Sequence, residues 1–372
     1  FDKMNAIGTF YEADQMVEVE AGVITKALQE FANAKNLYYA VDFASSGSSQ
    51  IGGNISTNAG GIKVIRYGMT RNLGLTVVTG KGDILELNGG MLKNATGYDF
   101  RHLFIGAEGT LGFVTRALIK LEKQPVNLTA MVLGVPNFES VVTLLDRFGK
   151  ALNLTAFEFF DSVAIDKVLT AGHAKAPFES RTPFYVLLEF EAVSDDVLDT
   201  AMSVFESCAE DGLIEDGVMS QSVGQLHELW KLRESISETI SVFTPYKNDV
   251  SVLITYLGDF INDIEQIVKD NYPDFEICWF GHIGDGNLHL NILKPDNLTK
   301  DEFFAKCQTV NKYVFETVKK YKGSISAEHG VGMTKKPYLD YTRSPIEIEY
   351  MKAVKAVFDP NGIMNRGKVF DI

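Results

Sequence analysis

The chain has little of several things that would have fixed its class at once. Only three cysteines occur in 372 residues (Cys208, Cys278 and Cys307), far apart and in no CxxC pair. That excludes a disulfide framework and fits a reducing compartment, where such residues serve as small buried hydrophobes. No apolar run approaches about 18 residues, so no spanning helix is expected. Positive charge is short: 35 Lys and Arg stand against 49 Asp and Glu, a formal net charge of −14. Such a balance argues against a nucleic-acid surface and a polybasic membrane anchor. An anionic substrate must then be met by a few locally concentrated cations. No G-x-G-x-x-G follows a strand and opens a helix, which removes the dinucleotide Rossmann fingerprint.

What is present reads as two textures. Glycines crowd between Gly47 and Gly112, among strand-like pieces such as "MVEVEAG", "NLGLTVVTG", "DILELNG" and "FVTRALIKLE". One amphipathic helix, "VITKALQEFANAKN", sits among them. Residues 1–122 are therefore expected to form a glycine-rich α+β domain. Further on, "LTAMVLGVPNFESVVTLLDRFGKAL" reads strand, turn, amphipathic helix, and two later stretches repeat that order. Each of these helices is expected to open on an Asn, Asp or Ser cap. Residues 123–322 thus predict an α+β domain, an antiparallel sheet with helices on one face. Residues 323–372 supply a loop and a helix that return to the first domain. The opening "FDKMNAIGTF" has no initiator Met and starts inside a strand–turn–strand pattern. The expectation is the later portion of a longer protein, with any targeting segment out of view: cytoplasmic in a bacterium, mitochondrial matrix in a eukaryote.

Three stretches carry chemistry. "GSSQIGGNISTNAGGIKVIRYGMT" (47–70) brings glycines close enough for backbone N–H groups to cradle a phosphate; tight turns in a β domain would explain them equally. "ICWFGHIGDGNLHLN" (277–291) holds His282 and His289, two of only six histidines. In one continuous strand a separation of seven would point them to opposite faces. A chain reversal at "GDGN" instead lets the two imidazoles face each other across a hairpin. "SISAEHGVG" (324–332) sets Glu328 beside His329, and neighbours in an extended segment point opposite ways. Glu328 is then available to a metal shared with His282 and His289, a recurrent catalytic zinc set that Mn or Fe also accepts. The residues alone leave open a buried polar hairpin with satisfied histidines. Likewise Arg233, with Ser237 one turn later and Lys247 beyond, suits a carboxylate ligand or a solvated helix face.

The long motifs "GSSQIGGNISTNAGGIKVIRYGMT", "NATGYDFRHLFIGAEGTLGFVT", "GHIGDGNLHLN" and "SAEHGVG" stand here in fixed order. In this the chain resembles the FAD-linked oxidases of the vanillyl-alcohol-oxidase type, with a PCMH-type FAD domain. The resembled branch is that of D-2-hydroxyglutarate, D-lactate and glycolate dehydrogenases, the first being closest. The resemblance implies non-covalent FAD held by Gly47, Ser48, Ile51, Gly52, Gly53, Asn54, Asn58, Gly60 and Gly61. Glu108, Gly109, Gly112, Val114 and Asn365 complete that set, and no covalent attachment at His102 is expected. It implies a divalent metal, first of all zinc, on His282, His289 and Glu328, with His329 as base. Arg233, Ser237, Lys247 and Asn291 would bind the anionic 2-hydroxy acid. Electrons would pass to an external acceptor, an electron-transfer flavoprotein or a quinone. No apolar patch fixes the oligomeric state, and a homodimer is admitted. That family also has a pyrophosphate loop upstream of the point where this sequence starts. The competing expectation is therefore an inactive fragment or a metal-binding module with an incomplete flavin site.

Overall fold

The computed structural model describes residues 1–372 apart from Ala44, Arg71 and Ile372. The chain divides into two compact units, one of residues 1–63, 67–124 and 328–372, the other of residues 64–66 and 125–327.

The first unit is built on a five-stranded sheet of Ile7–Tyr11 (β1), Met16–Glu20 (β2), Asn72–Thr79 (β3), Ile84–Leu87 (β4) and Gly112–Lys120 (β5). Its order is β1-β2-β5-β3-β4, antiparallel throughout. Period-two alternation sends Val17 and Val19, Leu75 and Val77, and Ala117 and Ile119 into one core. Onto it pack Thr25–Ala34 (α1), through Leu28 and Ala32, and Ile51–Thr57 (α2), through Ile51 and Ile55. The helix Pro345–Phe358 starts with a capping box between Ser344 and Glu347. Near its end the buried Lys355 Nζ donates to Thr110 O (2.6 Å), Met364 O (3.0 Å) and Asp359 Oδ2 (2.7 Å). That ammonium ties the glycine loop before β5 to the C-terminal tail.

The second unit holds a seven-stranded sheet of Leu128–Val135 (β6), Leu154–Asp161 (β7), Phe184–Glu191 (β8), Asp216–Met219 (β9), Tyr246–Ser251 (β10), Ile277–His282 (β11) and Asn287–Ile292 (β12). The order is β9-β6-β8-β7-β11-β12-β10, and every neighbouring pair is antiparallel. Its helices are Phe138–Ala151 (α3), Ser162–Thr170 (α4), Asp195–Glu210 (α5), Val223–Glu234 (α6), Ile236–Ser241 (α7), Leu257–Asn271 (α8) and Lys300–Lys320 (α9). All three cysteines are buried. Among the described residues no helix is long and apolar enough to cross a membrane.

Three expectations need correction here. The sequence pattern predicted three strand–helix units, and the structure adds two more, β7 with α4 and β9 with α6. All eight residues of β7 are buried, as are seven of the eight in β6. The helices do not all open on a small polar cap. Asn137 caps α3 by accepting from Ser140 N (2.9 Å), whereas Ser194 makes no side-chain cap bond for α5 and Tyr256 stands before α8. Finally, Arg233 and Ser237 do not share one helix, because α6 ends at Glu234 and α7 begins at Ile236.

Asp161, at the end of β7, caps α4 through Ala164 N (2.8 Å) and accepts from Trp279 N in β11 (2.9 Å). Desolvation outweighs these two amides and pushes its carboxyl up to about 7. Between the unfolded value near 4 and the folded value near 7, the folded chain holds a proton that the unfolded chain has released. Its contribution is thus full below about pH 4 and is lost as pH rises through about 7. Asp161→Asn is expected to remove that part of the slope, read as the wild-type-minus-variant difference in unfolding midpoint from pH 4 to pH 7.

Candidate active site

Four adjacent strands lay out the centre of the second unit. Register sets Glu158 (β7) opposite His282 (β11), His282 opposite Asn287 (β12), Phe280 opposite His289, and His289 opposite Asp249 (β10). Because side chains alternate along each strand, all six occupy one face of the sheet. The reversal between β11 and β12 is a short turn over Ile283–Asp285, closed by Gly286 at φ +78°. A Cβ on Gly286 would lie 2.1 Å from Val252 O, so glycine is required twice over. His289 stands two residues beyond the partner of His282, which returns both rings to the same face despite their odd separation. Their centroids are 5.3 Å apart, edge to face.

Each imidazole has a buried carboxylate on its Nδ1 side. His282 Nδ1 lies 2.8 Å from Glu158 Oε1 and equally far from Oε2. His289 Nδ1 lies 3.7 Å from Asp249 Oδ1, which accepts from Asn287 Nδ2 at 2.8 Å. Glu158 is 1% exposed, a costly place for a lone charge, and Arg233 Nη2 answers it from α6 at 2.9 Å. The Arg233 guanidinium also lies over the Phe280 ring, 4.7 Å from its centroid.

The third candidate ligand arrives along the edge of the same sheet. Ser251 in β10 exchanges both backbone bonds with Ser324 (3.0 and 2.8 Å), and Ala327 N donates to Asp249 O (3.3 Å). Glu328 is the next residue. One potential ligand atom from each of His282, His289 and Glu328 lies within 4.8 Å of the others. The donor set fits a divalent metal: two imidazoles, that of His282 bonded to a buried carboxylate and that of His289 with one nearby, and one carboxylate oxygen.

The expected substrate residues are spread over this unit. Arg233 is buried and ion-paired, which excludes a solvated helix face. Ser237 is half-buried on α7, while Lys247 is exposed opposite Asn291. Asn291 is 1% exposed, and its Nδ2 donates to Cys278 O (3.3 Å) and His289 O (3.2 Å).

In the first unit the two glycine segments meet: Gly106 N donates to Ile55 O (3.0 Å) and Glu108 N to Ser56 O (2.8 Å). Some expected flavin residues are used for packing. Ile51 N and Gly52 N donate to Val23 O and Ala21 O, and Asn54 Nδ2 donates to Thr25 Oγ1 at 2.7 Å. The Val114 side chain is in the core, and a Cβ on Gly52, Gly61 or Gly112 would meet neighbouring atoms at 2.6 Å or less. At Gly47, Gly53 and Gly109, by contrast, a Cβ would meet nothing within 4 Å, leaving open backbone of the kind a flavin diphosphate needs. Ser48 and Asn58 flank that segment, with Asn58 left-handed at the end of α2, and Gly60 is buried. Asn365 Nδ2 donates to Glu108 O, and His102 is exposed beside Asp99. The Glu108 carboxylate accepts from Val331 N (2.6 Å) and Gly332 N (2.8 Å), and Gly61 N donates to Glu328 Oε1 (3.1 Å). The loop carrying Glu328 and His329 is thus bonded to both glycine segments.

Sequence reasoning missed Glu158 and Asp249. For Glu158 the available signal was an acidic residue amid the apolar neighbours of "LTAFEFFD"; Asp249, in the polar stretch "YKNDVS", carried none.

Residues 1–88 match the family described as FAD binding domain, and residues 124–369 match FAD linked oxidases, C-terminal domain. The chain belongs to the FAD-linked oxidase family. It is 66% identical over 372 residues to the D-2-hydroxyglutarate dehydrogenase of Stutzerimonas stutzeri, covering 100% of this chain and 80% of that one. It is 47% identical to the D-2-hydroxyglutarate dehydrogenase of Xanthomonas citri pv. viticola, covering 100% of this chain and 79% of the relative. In structure it is similar to p-cresol methylhydroxylase with substrate bound, at TM-score 0.74 and 12% identity, over 100% of this chain and 79% of that one. That last likeness shows the fold.

Proposed function

We propose that this chain oxidises a D-2-hydroxy acid, D-2-hydroxyglutarate before lactate or glycolate, using FAD and a divalent metal. The observation that carries the reading is the His282, His289 and Glu328 cluster with a buried carboxylate behind each histidine. It occurs in a chain 66% identical to a D-2-hydroxyglutarate dehydrogenase.

When bound, flavin accepts a hydride from C2 and a divalent cation makes the hydroxyl more acidic. The rest falls to the chain. His282, His289 and Glu328 hold the cation, zinc being the first choice for two imidazoles and a carboxylate. His329 takes the hydroxyl proton as a neutral imidazole. Arg233, Ser237 and Lys247 receive the substrate carboxylates, and Asn291 supports the strand beneath them. Among the described residues Arg233 Nε is buried without a hydrogen-bond partner, a donor that a carboxylate would satisfy. The open backbone at Gly47, Gly53 and Gly109 receives the flavin diphosphate. The external electron acceptor would be an electron-transfer flavoprotein or a quinone.

The test is anaerobic flavin bleaching of the FAD-loaded protein by D- and L-2-hydroxyglutarate, D-lactate and glycolate, with and without chelator. D-2-hydroxyglutarate is expected to bleach fastest, its L-enantiomer not at all, and chelator to stop the reaction. Failure of every D-acid to bleach flavin-loaded protein would refute the reading.

A further inference from the structure

We infer that Glu158 is a positioning residue for two parts of the site at once: it orients His282 as a metal ligand and holds the guanidinium of Arg233. The inference rests on the metal-dependent reading above and adds a residue to it.

The geometry leaves little choice. Glu158 and His282 are direct cross-strand partners, so the β7–β11 ladder fixes the separation of their backbones. At 2.8 Å the carboxylate accepts the Nδ1–H of His282, which selects that tautomer. The nitrogen outside this bond is Nε2, whose lone pair then serves as ligand. Arg233 Nη2, 2.9 Å from Glu158 Oε2, balances the charge that makes Glu158 a strong acceptor. One carboxylate therefore directs an imidazole from β11 through a hydrogen bond at Oε1 and pairs by charge with a guanidinium from α6, its Oε2 accepting no hydrogen bond among the described residues. The two outer carboxylates are not equivalent, because Asp249 stands 3.7 Å from His289 Nδ1, beyond hydrogen-bond length. Glu158 should accordingly govern metal affinity more than Asp249 does.

A plain structural role makes a different forecast. If Glu158 merely neutralised a buried arginine, its loss would lower stability and leave metal affinity per folded molecule unchanged. Glu158→Gln separates the two, since it keeps the shape and one acceptor oxygen but removes the charge. Zinc affinity of the 372-residue chain would be measured by competition with a chromophoric chelator, beside its thermal midpoint. Glu158→Gln is expected to bind zinc about 10- to 100-fold more weakly, and Asp249→Asn to stay within about threefold of wild type. At saturating zinc in the flavin-loaded protein, KM for D-2-hydroxyglutarate should rise about tenfold in Glu158→Gln, with kcat within about threefold.

A second measurement needs no variant and so survives a Glu158→Gln that does not fold. Nitrogen-15 spectra of the metal-free wild type should show His282 protonated at Nδ1. An Nε2–H tautomer, or equal zinc affinity of folded wild type and Glu158→Gln, overturns the inference while leaving the metal reading standing. Failure of the wild type itself to bind zinc, Mn or Fe removes the metal reading, and the inference with it.

Discussion

Flavin reduction by D-2-hydroxyglutarate is expected to slow by roughly 10²- to 10⁴-fold when His329 is replaced by alanine, with bound metal unchanged. The separation follows from local geometry. Glu328 is half-buried while its neighbour His329, in the same bend, is exposed. The loop has anchors besides the imidazole. Gly330, at φ +74°, packs against Glu108, and the Glu108 carboxylate accepts from the next two amides. Removing His329 is expected to take away the proposed base while the Glu108 bonds hold the loop. Stopped-flow absorbance of the oxidised flavin, paired with metal analysis of the same sample, reads both halves of the prediction.

Glu328→Ala should differ in kind. Here both the metal and the reaction are expected to go, with affinity for the cation lower by at least about 100-fold. Glu328 also accepts from Gly61 N, so the variant leaves one backbone donor in the glycine segment without that acceptor. A modest loss of thermal stability and of flavin affinity is expected beside the large loss of metal. A result in which Glu328→Ala keeps its metal while His329→Ala loses it would reverse the two roles. Competition against a chelator for each variant decides between them.

How much of this was legible in the sequence follows the physics of each element. Strands with one wet face, such as "MVEVE" and "FVTRALIK", declared themselves by alternation, and α1 and α3 by their apolar stripes. The histidine hairpin was readable because a glycine turn and two short strands are local, and parity across a reversal is a matter of counting. β7 was missed, although β6, equally buried on both faces, was read as a strand. With β7 went Glu158, whose role exists only once β7 and β11 pair across 124 residues of chain. Asp249 was hidden for the same reason, as its partner lies on another strand. The break at Ser235 between α6 and α7 left no mark either, since nothing in "LRESISET" opposes helix. In the glycine segment, spacing alone could not separate Gly52, which packs on Ala21, from Gly53, whose Cβ position is open.

The most direct measurement is anomalous diffraction at a metal absorption edge from crystals of the protein purified without chelator. A peak is expected about 2.0–2.2 Å from a ring nitrogen of His282, a ring nitrogen of His289 and a carboxylate oxygen of Glu328. A chain with no such peak, or with its ion bound anywhere else, would contradict the account.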